Sequence, residues 1–422
     1  MRPSLSRLFG YAAPALPLAM GGLPLYVHAP RFYADSTGMS LAMMGLVLLV
    51  ARLFDSVTDP LIGLLSDRGG ARFRRKVIVL AAPLFGAGML LLFHPQWRSG
   101  LPLTVWLGMS LFLTYLAYSL MSVNHNALGA EISRDYSGRT RVAAVRESLA
   151  LVGILLGAAI PGWLIVVYGE VAGLSLFSWL FLPLVLLSAV LLWRYSPPVM
   201  QLVHLTQRGD WRARLASVAA NRPLRWLLAV YLLQGIAFGI TSTLVLFFIA
   251  DVIGAVNWGG GFLSLYFITA IAALPGWLRL AARIGKRRAW LASMGGTVLV
   301  FLWAYLLGRG DTVQFALVCA GAGVFLGATL ALAPSLLADV MDHDRTSAAG
   351  EREGLYSGIW GLFTKLNLAL AAGLVLPVLQ WLGYQPGVAT GQGSALSIMY
   401  TLLPCFFTLA AAAVLWRSPL DK

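Results

Sequence analysis

The stretch LVLLVARLFDSVTDPLIGLL, residues 46–65, carries two aspartates, Asp55 and Asp59, in a largely apolar segment long enough to cross a lipid bilayer. It runs directly into the basic sequence SDRGGARFRRK, residues 66–76. Ionisable side chains at membrane depth are costly, so they tend to face a bundle interior or an aqueous cavity and to mark an ion or substrate path. The stretch therefore predicts a membrane-spanning helix whose two acids belong to a transport pathway.

The composition places the whole chain in a membrane. Of its 422 residues, 59% are hydrophobic and only 11% are charged, which is far from the usage of soluble domains. The net charge of +14 would suit nucleic acid, yet the basic residues recur in short clusters between apolar segments instead of forming one patch. We therefore expect the lipid bilayer as a partner and no nucleic acid.

Apolar segments of about 20 or more residues predict an all-α membrane protein of twelve transmembrane helices. Most of the Lys and Arg residues fall on one side of these spans, which predicts cytoplasmic termini. The longest polar connection predicts an N-terminal six-helix bundle at 1–200, a cytoplasmic linker at 201–222 and a C-terminal six-helix bundle at 223–422. The predicted helices lie near 8–29, 39–66, 77–95, 101–130, 142–168, 172–194, 223–250, 260–283, 289–308, 312–340, 353–382 and 394–416.

The two halves also show a faint internal repeat, because the second and eighth helices both end in a basic turn. These turns are SDRGGARFRRK at 66–76 and LAARIGKRR at 280–288. Parallel repeats of this kind are typical of the major facilitator superfamily, and GLLSDRGGARFRRK at 63–76 resembles its signature loop. The resemblance implies gating roles for Asp67 and Arg72.

Three further stretches resemble a narrower family, the glycoside-pentoside-hexuronide:cation symporters. They are YADSTGMSLAMMGLVLLVARLFDSVTDPLIG at 33–63, ALGAEISRDYSGRTRVAAVRE at 127–147 and SLLADVMDHDRTSAAGEREGLYSGIWGLFTK at 335–365. This resemblance implies a twelve-helix major facilitator fold that carries a sugar, glycoside or related polar solute together with a cation, working as a monomer. The predominance of arginine over lysine favours a bacterial inner membrane.

Helix geometry places Arg52, Asp55 and Asp59 on one stripe of the second helix, at about 100° per residue. The family resemblance implies that the two aspartates hold the coupling cation, with Thr58 and Ser119 supplying further oxygen atoms. Oxygen ligands suit sodium, and two close carboxylates that share a proton suit proton coupling, so the ion is either one. The alternative is that Arg52 only neutralises one aspartate and that the pair stabilises the bundle.

The resemblance also implies a substrate site with Arg146 and Lys365 facing each other across a central cavity, one from each half. The alternative is that both cations only balance the aspartates. Where the family grips sugar with two acids and a stacking tryptophan, this chain has Ala19, Ser122 and Asn126. The loss of two acids leaves the predicted cavity basic, which favours an anionic substrate: a hexuronide, a sulfonated sugar or a lysophospholipid-like amphiphile. A carrier of such an amphiphile is therefore the alternative function.

The remaining candidates are polar or aromatic side chains near the same helices. Asn124 and Asn126 offer amide groups to hydroxyls. A zinc-ligand spacing, a phosphate-binding loop and a nucleophile elbow are missing from the sequence, so we expect neither an enzyme nor a cofactor. The predicted substrate site comprises Tyr26, Ser122, Asn124, Asn126, Arg146, Trp360 and Lys365, and the predicted gate comprises Asp67, Arg72, Asp339 and Arg352.

Overall fold

The computed structural model describes residues 4–132, 136–196, 220–347, 353–389, 391 and 393–420. All the long regular elements in these ranges are helices, as the apolar spans predict. They are α1 (Leu5–Thr37), α2 (Leu41–Ser66), α3 (Gly69–Phe93), α4 (Gly100–Ile132), α5 (Tyr136–Tyr168), α6 (Glu170–Tyr195), α7 (Arg222–Ile253), α8 (Gly259–Ile284), α9 (Lys286–Tyr305), α10 (Thr312–Ser347), α11 (Glu353–Trp381) and α12 (Ala395–Arg417).

Of the twelve helices in the described ranges, eleven are long and apolar enough to cross a membrane. The prediction of an all-α protein with many membrane spans is thus confirmed. The exception is α9, which covers the 20 residues from Lys286 to Tyr305. It was predicted as a span at 289–308, but it is not among the eleven helices that are long and apolar enough. Three cations, Lys286, Arg287 and Arg288, begin this helix, so its apolar length is shorter than that of its neighbours.

Several helix boundaries differ from the sequence-based prediction, and local backbone geometry explains two of them. The first helix was expected to end near residue 29, but it continues to Thr37 and ends at Gly38, whose φ of 66° is left-handed. A π-helical turn at Pro24–His28 absorbs the proline instead of breaking the helix. The break between α5 and α6 falls at Gly169, with φ of 83°, so α6 begins two residues before the predicted start.

The chain divides into two compact units, Met1–Leu205 and Thr206–Lys422. In the first unit α1 packs on α5, and the segment Leu41–Phe93 packs on α4. In the second unit α7 packs on α11, and α8 packs on α10. The first helix of each unit therefore pairs with the fifth, and the second with the fourth, which is the pattern an internal repeat produces. Residues 197–219 lie outside the described ranges, so the linker assignment stays a prediction.

Glycines let some of these helices approach closely. A Cβ on Gly153 or Gly157 of α5 would lie 2.3 or 2.5 Å from a backbone carbonyl oxygen of α1. The same spacing occurs on α10, where a Cβ on Gly323 or Gly327 would lie 2.1 or 2.5 Å from a carbonyl oxygen of α8. Small residues four apart commonly allow tight helix packing in membranes. These glycines let α1 pack closely on α5 and α8 pack closely on α10.

Candidate functional site

The Asp55 carboxylate forms the centre of the candidate ion site in the first unit. Asp55 lies on α2 and is 0% exposed. The Ser119 hydroxyl on α4 donates a hydrogen bond of 2.6 Å to Asp55 Oδ1, while Arg52 Nη1 lies 3.8 Å from Asp55 Oδ2. The Arg52 guanidinium also lies 4.1 Å from the ring centroid of Tyr115, a cation–π distance. The carboxylate therefore accepts a short hydrogen bond from Ser119 of α4 and lies near the positive charge of Arg52 on its own helix.

Asp59 follows one helical turn later and is half-buried. The Thr58 hydroxyl donates to the backbone oxygen of Asp55 at 3.0 Å, which leaves lone pairs on its oxygen for a further partner. Tyr26 lies in the π-helical turn of α1. The structure thus places Asp55 and Asp59 on one stripe of α2, next to Thr58 in the chain, with Ser119 of α4 hydrogen-bonded to Asp55.

The donor set around this stripe consists of two carboxylates and two hydroxyls. Within the described residues, no group of three or more His, Cys, Asp or Glu side chains could hold a metal ion. A hard, weakly charged ion fits oxygen ligands of this kind, and a shared proton fits two neighbouring carboxylates. The chemistry of the donor set therefore suits either sodium or a proton.

Arg146 lies on α5 and reaches toward the end of α4. Its Nη1 donates to Asn126 Oδ1 at 2.7 Å, and its Nη2 lies 2.5 Å from Glu147 Oε1. The contact with Asn126 joins two of the predicted substrate residues. The ion pair with Glu147 offsets part of the positive charge that the sequence predicted at this position.

The other predicted polar residues of α4 do not share one surface. Ser122 is half-buried and its hydroxyl lies 3.5 Å from the Ser119 backbone oxygen. Asn124 is 1% exposed and donates to Leu120 O at 2.8 Å, whereas Asn126 is exposed. Residues two apart on a helix are rotated by about 200° and residues four apart by about 40°, so Asn124 lies on the opposite side of α4 from Ser122 and Asn126.

The predicted substrate residues of the second unit lie on α11. The Trp360 ring stacks on Tyr231 of α7 with centroids 3.8 Å apart, and both rings line a cavity of about 290 Å³. Lys365 is half-buried and is not among the residues that line this cavity. Because Arg146 and Lys365 belong to different units, their approach across a central cavity stays a prediction.

A buried ion pair that the sequence did not indicate joins the first turns of α3 to the end of α4. Arg74 Nη1 pairs with Glu131 Oε1 at the end of α4, and Arg74 Nε donates to Ser66 Oγ at 2.9 Å. The predicted gate residue Arg72 is exposed, and the Asp67 side chain lies outside the described part of the chain. Glu131 lies in the stretch 127–147, which resembles the symporter family. An acid at the end of an apolar helix was the one sequence feature that could have pointed to this ion pair.

The second unit has an ion pair at the equivalent place. Lys286, at the start of α9, lies 2.6 Å from Asp339 on α10. Both side chains are largely exposed, at 35% and 53%. Asp339 was a predicted gate residue, and its predicted companion Arg352 lies outside the described residues.

Residues 8–422 match the family described as MFS/sugar transport protein. The chain belongs to this family. The match confirms the predicted place in the major facilitator superfamily and is consistent with the glycoside-pentoside-hexuronide:cation symporters. The membership also agrees with the multi-pass helical architecture.

Several relatives match over nearly the full length. A putative sulfoquinovose importer of Escherichia coli (strain K12) is 25% identical, covering 98% of this chain and 89% of the relative. A glucuronide carrier protein homolog of the same strain is 26% identical, covering 96% and 89%. The sodium-dependent lysophosphatidylcholine symporter 1 of Xenopus tropicalis is 21% identical, covering 94% and 82%.

Solved structures with the same fold are transporters. The nucleoside transporter NupG aligns with a TM-score of 0.69 at 13% identity, covering 99% of this chain and 100% of that one. A bacterial homolog of the human lysosomal transporter Spinster, in an inward-facing and unoccupied conformation, aligns with a TM-score of 0.70 at 14% identity, covering 98% and 96%. At these identities the likeness shows the fold alone, which is that of a major facilitator transporter.

Proposed function

We propose that this chain is a cation-coupled symporter of a sugar, glycoside or related polar solute that works by alternating access. The observation that carries the proposal is the fully buried Asp55 carboxylate, hydrogen-bonded by Ser119 at 2.6 Å, with the Asp59 carboxylate one turn away. Burying an acid in a membrane protein is costly. A cation bound between two such acids would neutralise their charge and offset this cost. A structural pairing alone would need only one acid beside Arg52.

Each residue of the ion site has a distinct task in this proposal. Ser119 fixes Asp55 Oδ1 and links α2 to α4. Arg52 lies near Oδ2 at 3.8 Å and competes electrostatically with an incoming cation. A bound sodium ion or proton supplies positive charge that compensates the carboxylates. Coupling follows if the cation and the solute both favour the same conformational state, because linkage between two ligands is reciprocal.

The proposed solute is an anionic sugar. In the first unit, the Arg146 side chain would bind the negative charge of the solute, and the amide of Asn126 beside it would bind a hydroxyl. In the second unit, Lys365 would bind the same negative charge. The names of two relatives, a sulfoquinovose importer and a glucuronide carrier homolog, support a solute that joins a sugar ring to a negative charge.

The second candidate function is a carrier of a lysophospholipid-like amphiphile that uses the same fold and ion site. The observation that favours it is the match to a relative named as a sodium-dependent lysophosphatidylcholine symporter. An amphiphile also combines an anionic group with a larger neutral part, so Arg146 suits both candidates.

Uptake into proteoliposomes tests the symport proposal. Sodium and proton gradients are imposed separately, and labelled glucuronides, sulfonated sugars and lysophosphatidylcholine are offered as solutes. We expect one sugar-like solute to accumulate with one of the gradients, and we expect Asp59→Asn to abolish the gradient dependence while the protein stays folded. The matched control is Asp35→Asn, which removes another helical acid that pairs with Arg31 at 3.0 Å, and it should keep the coupling.

Three results would contradict this function. Accumulation that keeps its gradient dependence in Asp59→Asn removes the ion site from the proposal. Uptake of lysophosphatidylcholine alone favours the amphiphile carrier. Equilibration of a solute without any gradient dependence indicates a uniporter instead of a symporter.

A further inference from the structure

Three consecutive cations, Lys286, Arg287 and Arg288, begin α9, and the protein itself binds the first two. Lys286 Nζ lies 2.6 Å from the Asp339 carboxylate of α10. Arg287 donates from Nε and Nη2 to two backbone oxygen atoms at the end of α12, the first at 3.1 Å. Arg288 is exposed, and its side chain forms no hydrogen bond or ion pair with any residue that the structure describes. The start of α9 therefore carries one cation without a counter-charge from the described protein.

Three more arginines at the same end of the second unit are exposed and have no such partner among the described residues. Arg279 and Arg283 lie four residues apart near the end of α8, and residues at this spacing share one helix face. Arg417 is the last residue of α12. Only Gly285 separates α8 from α9, and the bonds of Arg287 bring the end of α12 to the same place. Together, the four exposed residues Arg279, Arg283, Arg288 and Arg417 form the arginine patch.

Large apolar side chains are exposed directly beside this patch. They are Leu278, Ile284 and Trp416, at 52%, 38% and 71% exposure, and each is the chain neighbour of an arginine of the patch. Apolar surface of this kind is stable against hydrocarbon, whereas a guanidinium needs water or an anion. Tryptophan is enriched where the hydrocarbon of a membrane meets the headgroups. The arginine patch therefore fits the level of the lipid headgroups, with apolar surface next to it for acyl chains.

The charge around the patch selects the kind of lipid. A guanidinium binds phosphate through two parallel hydrogen bonds, and zwitterionic phospholipids carry an ammonium group beside their phosphate. An ammonium group favours a nearby acid. Among the acids of the second unit whose side chains the structure describes, Asp339 alone lies at this end, and Lys286 already pairs with it. The patch thus complements a headgroup with a net negative charge.

We infer that the arginine patch binds the headgroup of an anionic phospholipid such as phosphatidylglycerol, whose acyl chains lie against the apolar side chains beside the patch. The lipid phosphate gives Arg288 the counter-charge that Asp339 gives Lys286. The patch shares no residue with the proposed ion site or the proposed substrate site. A lipid that contacts the ends of α8, α9 and α12 also stabilises the second unit, because a ligand that binds only the folded state raises its stability.

Lipid binding to the delipidated full-length protein tests the inference. Phosphatidylglycerol and phosphatidylcholine with identical acyl chains are titrated separately into the protein in neutral detergent, and native mass spectrometry counts the bound lipid molecules. A cation beside an anionic headgroup contributes roughly fivefold in affinity, so several of them should make the first phosphatidylglycerol bind about tenfold or more tightly than the first phosphatidylcholine. We expect Arg283→Gln and Arg288→Gln each to raise the dissociation constant of phosphatidylglycerol about fivefold and to leave that of phosphatidylcholine unchanged.

The matched control is Arg194→Gln in the first unit. Arg194 is the only arginine of α6, it follows the exposed Trp193, and like Arg288 it is exposed and has no partner among the described residues. This variant removes the same charge outside the patch and should bind phosphatidylglycerol like the wild type. Arg288→Lys keeps the charge without the paired hydrogen bonds, so its affinity should lie between those of the wild type and Arg288→Gln. In neutral detergent without lipid, Arg288→Gln should unfold at the wild-type temperature, because the side chain it loses has no partner.

Three outcomes would overturn the inference. Equal affinity of the wild type for the two lipids would show that the headgroup charge is not recognised. The same loss of phosphatidylglycerol binding in Arg194→Gln as in Arg288→Gln would show a diffuse attraction to positive charge instead of a site. Displacement of bound phosphatidylglycerol by an equal concentration of glycerol 3-phosphate, which has the phosphate without acyl chains, would show a site for a water-soluble anion.

Discussion

The buried ion pair between Arg74 and Glu131 allows a quantitative prediction. The two side chains are 2% and 6% exposed, and Arg74 also receives support from Ser66 at 2.9 Å. The perturbation is a cycle of three variants: Arg74→Met, Glu131→Leu and the double replacement. Each single variant removes the ion pair but keeps one of its two buried charges, whereas the double variant replaces both charges with apolar side chains of similar length.

The expected magnitudes follow from the burial of the pair. Breaking a buried pair from one side costs about 3–5 kcal/mol, and replacing both charges by apolar groups is often neutral or stabilising. A unit of roughly 200 residues shifts its midpoint by about 2–4 °C per kcal/mol. We therefore expect each single variant to lower the unfolding temperature by about 6–20 °C, and we expect the double variant to recover most of that loss.

Thermal unfolding of the purified protein, followed by tryptophan fluorescence, measures these shifts. The control is Asp339→Leu, which breaks the equivalent but largely exposed pair with Lys286. Exposed pairs contribute about 0–1 kcal/mol, so this variant should shift the midpoint by at most about 4 °C. The reasoning is refuted if Glu131→Leu shifts the midpoint no more than Asp339→Leu, or if the double variant is as unstable as the two single losses combined.

Two further predictions concern transport kinetics. Ser119→Ala removes the hydroxyl oxygen proposed as a cation ligand and leaves Asp55 Oδ1 without the hydrogen bond that positions it. The cation concentration for half-maximal uptake should therefore rise roughly tenfold, which corresponds to about 1.4 kcal/mol. The control is Ser110→Ala, since Ser110 is a buried serine of α4 that donates to Leu107 O, and equal effects of both variants would contradict a role of Ser119 at the ion site. Arg146→Gln should raise the KM for the solute while the cation dependence of uptake stays unchanged; parallel loss of both would indicate a structural arginine.

The fold was predictable because a membrane leaves the backbone few choices. Spanning segments must satisfy their own hydrogen bonds, so long apolar runs predict helices. The end of α1 was not predictable, since the π-turn at Pro24–His28 keeps the helix going past a proline. The shift of α9 has another cause. Hydropathy places a span by its apolar centre, whereas the helix begins at Lys286, directly after Gly285, whose φ is 89°.

The geometry of the candidate site was predictable only where residues share a helix. The stripe of Arg52, Asp55 and Asp59 follows from the helical period, and the short contact between Ser119 and Asp55 accords with the family resemblance. A contact between segments that are far apart in the chain leaves no local pattern in the sequence. The Arg74 pair with Glu131 could not be found in this way, because it depends on how separate helices pack.

The distances around Asp55 bear on the choice between the proposed ion site and simple charge neutralisation by Arg52. A static pair would hold Arg52 and Asp55 at hydrogen-bond distance, about 2.7–2.9 Å, yet the closest separation of these two side chains is 3.8 Å. The Tyr115 ring holds the guanidinium at 4.1 Å and so shares its attraction. The Ser119 hydroxyl, by contrast, donates a hydrogen bond of 2.6 Å to the other carboxylate oxygen, Asp55 Oδ1. In the proposed ion site, a cation that binds between Asp55 and Asp59 would displace no hydrogen bond between Arg52 Nη1 and Asp55 Oδ2, because these two atoms lie 3.8 Å apart.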